Sequence, residues 1–120
     1  KMVTSDLSTR INDVLRYVGI TRNMNAYMIL SQALTLIAED EDRLRAVEKE
    51  IYTPIADKTR RGPRAVQSTV RRASKVAWDF FPDRVQELAG YPLNGRPSAV
   101  AMLELLYNGV ARYDDLSILK

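Results

Sequence analysis

Seven basic side chains, Lys58, Arg60, Arg61, Arg64, Arg71, Arg72 and Lys75, crowd into residues 58–75 with no acidic residue among them. The other 102 residues carry eleven bases against fifteen acids, so the net charge of +3 conceals one cationic window in an acidic remainder. The chemistry open to such a cluster is the binding of a polyanion. Guanidinium and ammonium groups donate to phosphate oxygens, and a charge excess this localised is an electrostatic footprint. Bond-making chemistry has no comparable signal. Histidine and cysteine are both absent, which removes imidazole acid–base catalysis, thiol nucleophiles, disulfides and the usual zinc sites together. Glu48, Glu50 and Asp57 are the carboxylates from which an acid–base pair would have to be built, and no glycine-rich phosphate loop or nucleophile joins them. The acidic run 39–42 lacks the glycine that would fold it around an ion; it reads as negative charge at a helix start. The chain is therefore expected to be no enzyme, with neither cofactor nor metal.

The elements that must position the bases follow from length and periodicity. The 120 residues suit one domain, 1–120, with enough chain to bury a core. No apolar run reaches the roughly 20 residues of a membrane span, and no secretory signal opens the chain, so the expected location is cytoplasmic. Leu7, Ile11, Val14, Leu15 and Val18 recur at helical spacing, with Thr4 or Ser5 as the expected cap and Gly19 as the stop. Asn23 is placed to cap a second helix, 24–38, apolar nearly all round and hence central, with Met24 and Met28 as core filler. A third helix is expected from the acidic joint to about Tyr52, with Leu44, Val47 and Ile51 inward. Thr53-Pro54 then reads as cap and first turn of a short helix ending near Thr59. In Arg60-Arg61-Gly62-Pro63 the glycine is expected to permit the turn and Pro63 to begin the next helix. Two helices so closely joined, over about 54–80, form a helix-turn-helix.

The helix from Pro63 to about Phe80 sorts its residues by face. At about 100° per residue, Val66, Val70, Ala73 and Ala77 share one side. Arg64, Gln67, Ser68, Arg71, Arg72 and Lys75 spread over the other. A merely solvated face mixes signs, because acids at i±4 relieve repulsion between bases; here none appears before Asp79, leaving Arg64, Ser68, Arg71 and Lys75 in an unrelieved row. Such a helix fits the B-form major groove, whereas the A-form groove is too deep and narrow. Single-strand binders need aromatic platforms, and the basic window has none. Trp78, Phe80 and Phe81, just beyond it, are expected in a core or hinge role. Further on, 82–89 reads as a short helix, 91–96 as a loop, and Pro97 as the start of a last helix that Asn108-Gly109 ends or interrupts. Arg96 either reaches a phosphate or faces solvent. The apolar tail of Leu116, Ile118 and Leu119 packs on the domain, meets a second copy or stays disordered. The whole is expected to be all-α, a compact bundle of about six helices.

The stretch Ile51-Tyr52-Thr53-Pro54-Ile55-Ala56-Asp57-Lys58, then Arg64-Ala65-Val66-Gln67-Ser68-Thr69-Val70-Arg71-Arg72-Ala73-Ser74-Lys75-Val76-Ala77-Trp78, resembles the C-terminal effector domain of the stage zero sporulation protein A family. The likeness resumes at Leu88-Ala89-Gly90-Tyr91 and Arg96-Pro97-Ser98. It implies an all-helical regulator whose helix-turn-helix reads a short DNA box, often with a second copy on a tandem site. It also implies a phosphoacceptor receiver domain or another regulatory partner outside this sequence. Where the family typically has Ser-Arg-Val-Glu-Arg, this chain has Arg64-Ala65-Val66-Gln67-Ser68, while Arg71 matches a family arginine. The resemblance carries the scaffold over and leaves the target sequence open.

The leading expectation is a sequence-specific regulator of transcription that binds double-stranded DNA with helix 63–80 in the major groove. Arg64, Gln67, Ser68 and Arg71 face base edges, arginine suiting guanine and glutamine adenine. Lys58, Arg60, Arg61, Arg72 and Lys75 contact phosphates. The alternative is a protein-interaction module that turns the same basic face toward an acidic partner.

Overall fold

Leu7–Tyr17 forms the first helix, α1, in a computed structural model that describes residues 6–116. It buries Ile11, Val14 and Leu15 at the expected spacing. Thr4 and Ser5 lie outside the described residues, and the cap is Asp6, whose carboxylate accepts from the Thr9 backbone N–H at 2.8 Å. That bond holds the Asp6 carboxyl below its ordinary pKa. Gly19 closes the helix at φ 87°. A Cβ there would lie 2.5 Å from the Phe81 ring, so glycine both makes the turn and leaves room for the aromatic.

Asn25–Glu39 is α2. Its Ile29, Leu30, Leu34 and Ile37 are fully buried, and each such side chain contributes roughly 1.5–3 kcal/mol of transfer free energy. The helix packs on α1 and on three helices described below, which makes it the centre of the bundle. Asn23 does not cap it. The Asn23 side-chain oxygen accepts instead from the Thr21 hydroxyl at 2.6 Å, and Met24 precedes the helix with no side-chain cap. Met24 is half-buried and Met28 is 44 % exposed, so neither fills the core.

The expected third helix is divided. A 3₁₀ turn, Glu41–Arg45, is capped by the Asp40 carboxylate and ends at Ala46, whose φ of −143° breaks the helical run. Arg43 ties this turn back to the end of α2 through the Leu36 carbonyl and Glu39. The chain then enters a π-turn, Glu48–Tyr52, and passes without a break into α3, Thr53–Thr59. Thr53 is therefore no cap: Tyr52 and Thr53 both have helical backbone angles, and the Thr53 N–H donates to the Glu48 carbonyl five residues back. The wider turn accommodates Pro54, which has no N–H and whose ring would crowd the carbonyl ahead of it in a tight α-helix.

Pro63–Phe80 is α4, Pro82–Ala89 is α5 and Ala99–Ala111 is α6. Pro97 lies just outside α6, and the Ser98 hydroxyl caps the helix by accepting from the Ala101 N–H. Pro97 itself is buried, and its carbonyl accepts from the Ser74 hydroxyl at 3.1 Å. Asn108-Gly109 neither ends nor interrupts α6. Gly109 is where α6 closes on its neighbours, since a Cβ would sit 2.8 Å from Leu88 and 3.4 Å from Val14. Asn108 donates to the Leu88 carbonyl at the end of α5. Trp78 and Phe81 are half-buried, but Phe80 is 73 % exposed and belongs to no core. A last 3₁₀ turn, Tyr113–Asp115, is fastened to α1 by Arg10–Asp114 and Tyr113–Asp13, and Leu116 packs inward. Ile118 and Leu119 lie outside the described residues. The described residues form six α-helices with no strand, an all-α bundle as expected.

Candidate nucleic-acid interface

Residues 60–62 join α3 to α4, the geometry of a helix-turn-helix. Gly62 does not make the tight turn: its φ is −76°, and it serves as the extended residue before α4, accepting from Ala65 and Val66. The left-handed residue is Arg60, at φ 60° and ψ 33°. Arg61 then donates its backbone N–H to the Ala56 carbonyl, so the end of α3 is satisfied at the cost of a strained arginine.

Val66, Val70, Ala73 and Ala77 face the core from α4 as the periodicity required, joined by Thr69 and Ser74. Both added polar side chains find carbonyl acceptors, Thr69 on Ala65 and Ser74 on Pro97. Arg64, Gln67 and Arg71 are exposed, while Ser68 is half-buried. Lys58, Arg60, Arg61, Arg72 and Lys75 are exposed as well, and so is Arg96 on its loop.

Within the window the cations differ in their company. Lys58, Arg60, Arg61, Arg64 and Arg72 have no ion pair within the described residues. The row on α4 is not wholly unrelieved, however: Lys75 Nζ lies 2.7 Å from an Asp79 oxygen, the i,i+4 pairing that a helix brings together. Arg71 donates to the Ser68 hydroxyl at 3.4 Å, the outer limit of a hydrogen bond. Arg61 and Arg72 border a shared groove of about 330 Å³ whose floor includes Ile20, Met24 and Val76. Lys58 borders another, between α2 and α3, beside Thr35 and Leu36.

Two features of this site escaped sequence reasoning, the Lys75–Asp79 pair and the buried Tyr52. Asp79 was readable from its four-residue spacing to Lys75. Tyr52 was not: it is buried where the π-turn packs on α4, and its hydroxyl has no hydrogen-bond partner among the described residues. Burial pushes its phenol above the ordinary pKa, and the Arg71 guanidinium pulls against that rise.

A helical bundle that projects one cationic helix from a short turn defines a helix-turn-helix protein. Residues 11–110 match the family model described as sporulation initiation factor Spo0A C terminal, and the chain belongs to that family. The family is the DNA-binding domain of a sporulation transcription regulator. No helix among the described residues is long and apolar enough to cross a membrane.

Proposed function

We propose that residues 1–120 form a single domain that binds double-stranded DNA sequence-specifically and regulates transcription, with α4 in the major groove. The observation that carries this reading is the set of exposed cations, Lys58, Arg60, Arg61, Arg64 and Arg72, that no acid of the described chain neutralises. Arg64, Gln67, Ser68 and Arg71 read base edges from the first half of α4. Lys58, Arg60, Arg61 and Arg72 hold phosphates, and Lys75 joins them by exchanging Asp79 for a phosphate oxygen. A tandem site places a second copy beside the first, and a receiver domain or other regulatory partner governs occupancy.

The target differs from the family's because Ala65, Gln67 and Ser68 stand where the family presents arginine, glutamate and arginine. Each lost pairing changes the preferred base, and a mismatch costs roughly 1–3 kcal/mol. The buried face of α4 keeps the docking frame, so the site has similar length and different sequence. Competition between the family's consensus duplex and the best duplex selected from a random pool tests this. Preference for the selected duplex is expected; preference for the family consensus means that these three positions do not govern readout.

A second reading rests on the groove between Arg61 and Arg72. Its apolar floor would suit an acidic protein segment carrying an apolar side chain. Binding to duplex DNA that weakens steeply with salt separates the two, since a module dedicated to proteins has no such response.

A further inference from the structure

Val76 is 42 % exposed, and it lines the groove that Arg61 and Arg72 border. Three parts of the chain build that groove. Ile20 and Met24 come from the corner between α1 and α2, Arg61 from the turn before α4, and Arg72 and Val76 from α4 itself. No acidic residue among those described lines it, and neither arginine has an ion pair within the described residues. Two guanidiniums thus share one groove with an apolar floor. Its place on α4 limits what can reach it. At about 100° per residue, Arg64, Arg71 and Lys75 lie within about 20° of one line, Arg72 about 80° round from it and Val76 about 120°. A helix with its side chains is about as wide as the B-form major groove, roughly 12 Å. When the line of Arg64, Arg71 and Lys75 points at base edges, the flanks of α4 therefore lie against the backbones that wall the groove. Arg72 and Val76 occupy one such flank.

A DNA strand alternates anionic phosphates with uncharged sugars. The groove offers the complement of both, guanidinium forks for phosphate oxygens and an apolar surface for the sugar. We infer that it seats one step of a single strand: Arg61 and Arg72 take successive phosphates, and the deoxyribose between them rests on Met24 and Val76. The inference deepens the proposed DNA reading and rests on it. It assigns the two arginines to one strand and to adjacent positions, and it makes Val76 a contact. An acidic protein segment needs no particular place on α4; a strand does, and the groove lies where that strand passes.

The test is a methylphosphonate scan, in which single phosphates of the duplex selected from a random pool are replaced one at a time by an uncharged group. The unaltered protein is expected to lose about tenfold in affinity at several positions, two of them neighbours on one strand; that is the order one hydrogen bond to a charged group carries. Arg61→Gln should abolish the loss at one neighbour and Arg72→Gln at the other. Melting temperatures should not move, because both side chains are exposed. Val76→Trp, at an exposed position and without change of charge, fills the groove and should remove both responses together. If the two arginines answer to phosphates on opposite strands or several steps apart, no single step is seated, and the inference is overturned while DNA binding stands. Both responses intact in Val76→Trp leave the floor without a sugar and overturn it as well. If Arg61→Gln and Arg72→Gln bind the duplex as the unaltered protein does, the inference is overturned and the groove passes to the acidic protein segment. Absence of salt-dependent duplex binding removes the proposed function itself, and the inference falls with it.

Discussion

Arg43 and Arg64 carry the same side chain in opposite circumstances. Arg43 donates to the Leu36 carbonyl at 2.6 Å and to Glu39 at 2.9 Å, with Glu50 at 3.9 Å on its other side. Arg64 stands exposed on the first turn of α4 with no ion pair within the described residues. The contrast extends to two regions. Outside the window 58–75, Arg10 pairs with Asp114, Arg16 with Asp13, and Arg22 donates to Asn12. Arg84 lies over the Tyr17 and Phe81 rings and donates to the Tyr17 carbonyl. Inside the window, only Lys75 has an ion pair among the described residues. Outside the window Arg10, Arg16, Arg22, Arg43 and Arg84 are tied into the fold, while Arg45, Lys49, Arg96 and Arg112 have no ion pair among the described residues. Inside it the unpaired cations crowd together and repel each other until something anionic arrives. Stability and binding should therefore respond in opposite directions to charge removal in the two regions.

The largest expected effect tests the unpaired region as a whole. About five neutralised phosphates imply a log–log salt slope of roughly −4 to −5, so affinity for arbitrary duplex should fall roughly 250- to 1,000-fold from about 50 to about 200 mM salt. A flat titration removes DNA as the partner.

The next sharpens the contrast residue by residue. Arg64→Ala or Gln67→Ala should cost about 1–3 kcal/mol at the preferred duplex and relax one base, with the melting temperature unchanged or raised. Arg43→Ala should do the reverse, losing about 1–3 kcal/mol of folding stability and leaving DNA affinity alone. Early melting in Arg64→Ala would break the comparison.

Arg60 belongs to both sides of the contrast, as a free cation in a strained backbone. Arg60→Gly should raise stability by about 0.5–1 kcal/mol, the left-handed penalty less glycine's entropy. It should also reduce the salt slope by about one. Thermal melts and salt titrations of one preparation read both; a slope that does not move takes Arg60 out of the phosphate set.

The smallest effect concerns the paired exception. Asp79→Asn frees Lys75 and should strengthen binding to any duplex about twofold to fivefold. An exposed i,i+4 pair contributes little, so stability should change by no more than about 0.5 kcal/mol. Weaker binding in this variant would show that Asp79 orders Lys75 for contact rather than competing for it.

Legibility followed the physical range of each signal. Helical periodicity is summed over many residues, so α1, α2, α4 and the inward set Val66, Val70, Ala73 and Ala77 were readable. Caps and turns depend on single bonds. Asp6 displaces Thr4 and Ser5, Asn23 is taken by Thr21, and the left-handed residue proves to be Arg60 in place of Gly62. Gly109 looked like a helix stop because the neighbours that require it, Leu88 and Val14, are distant in sequence. The basic window was legible by count. Which of its members lie free was not, since pairing depends on rotamers and on neighbours such as Asp79. Tyr52 lay furthest beyond reach, because a stranded hydroxyl exists only once the π-turn and α4 have met.

That π-turn also sets a phase. A π-turn holds one residue more than an α-helix needs, and each α-helical residue accounts for about 100° of rotation. The face that α3 offers to α4 is thereby uncoupled from the direction in which the chain leaves Glu41–Arg45. Deleting one exposed residue from the turn, such as Lys49, would return it to α-helical pitch and crowd Pro54 against the carbonyl four residues before it. The helix-turn-helix beyond would keep its internal geometry. A single surplus residue acts as an angular joint, so that the acidic segment before it and the cationic segment after it can change in evolution without dragging each other out of register.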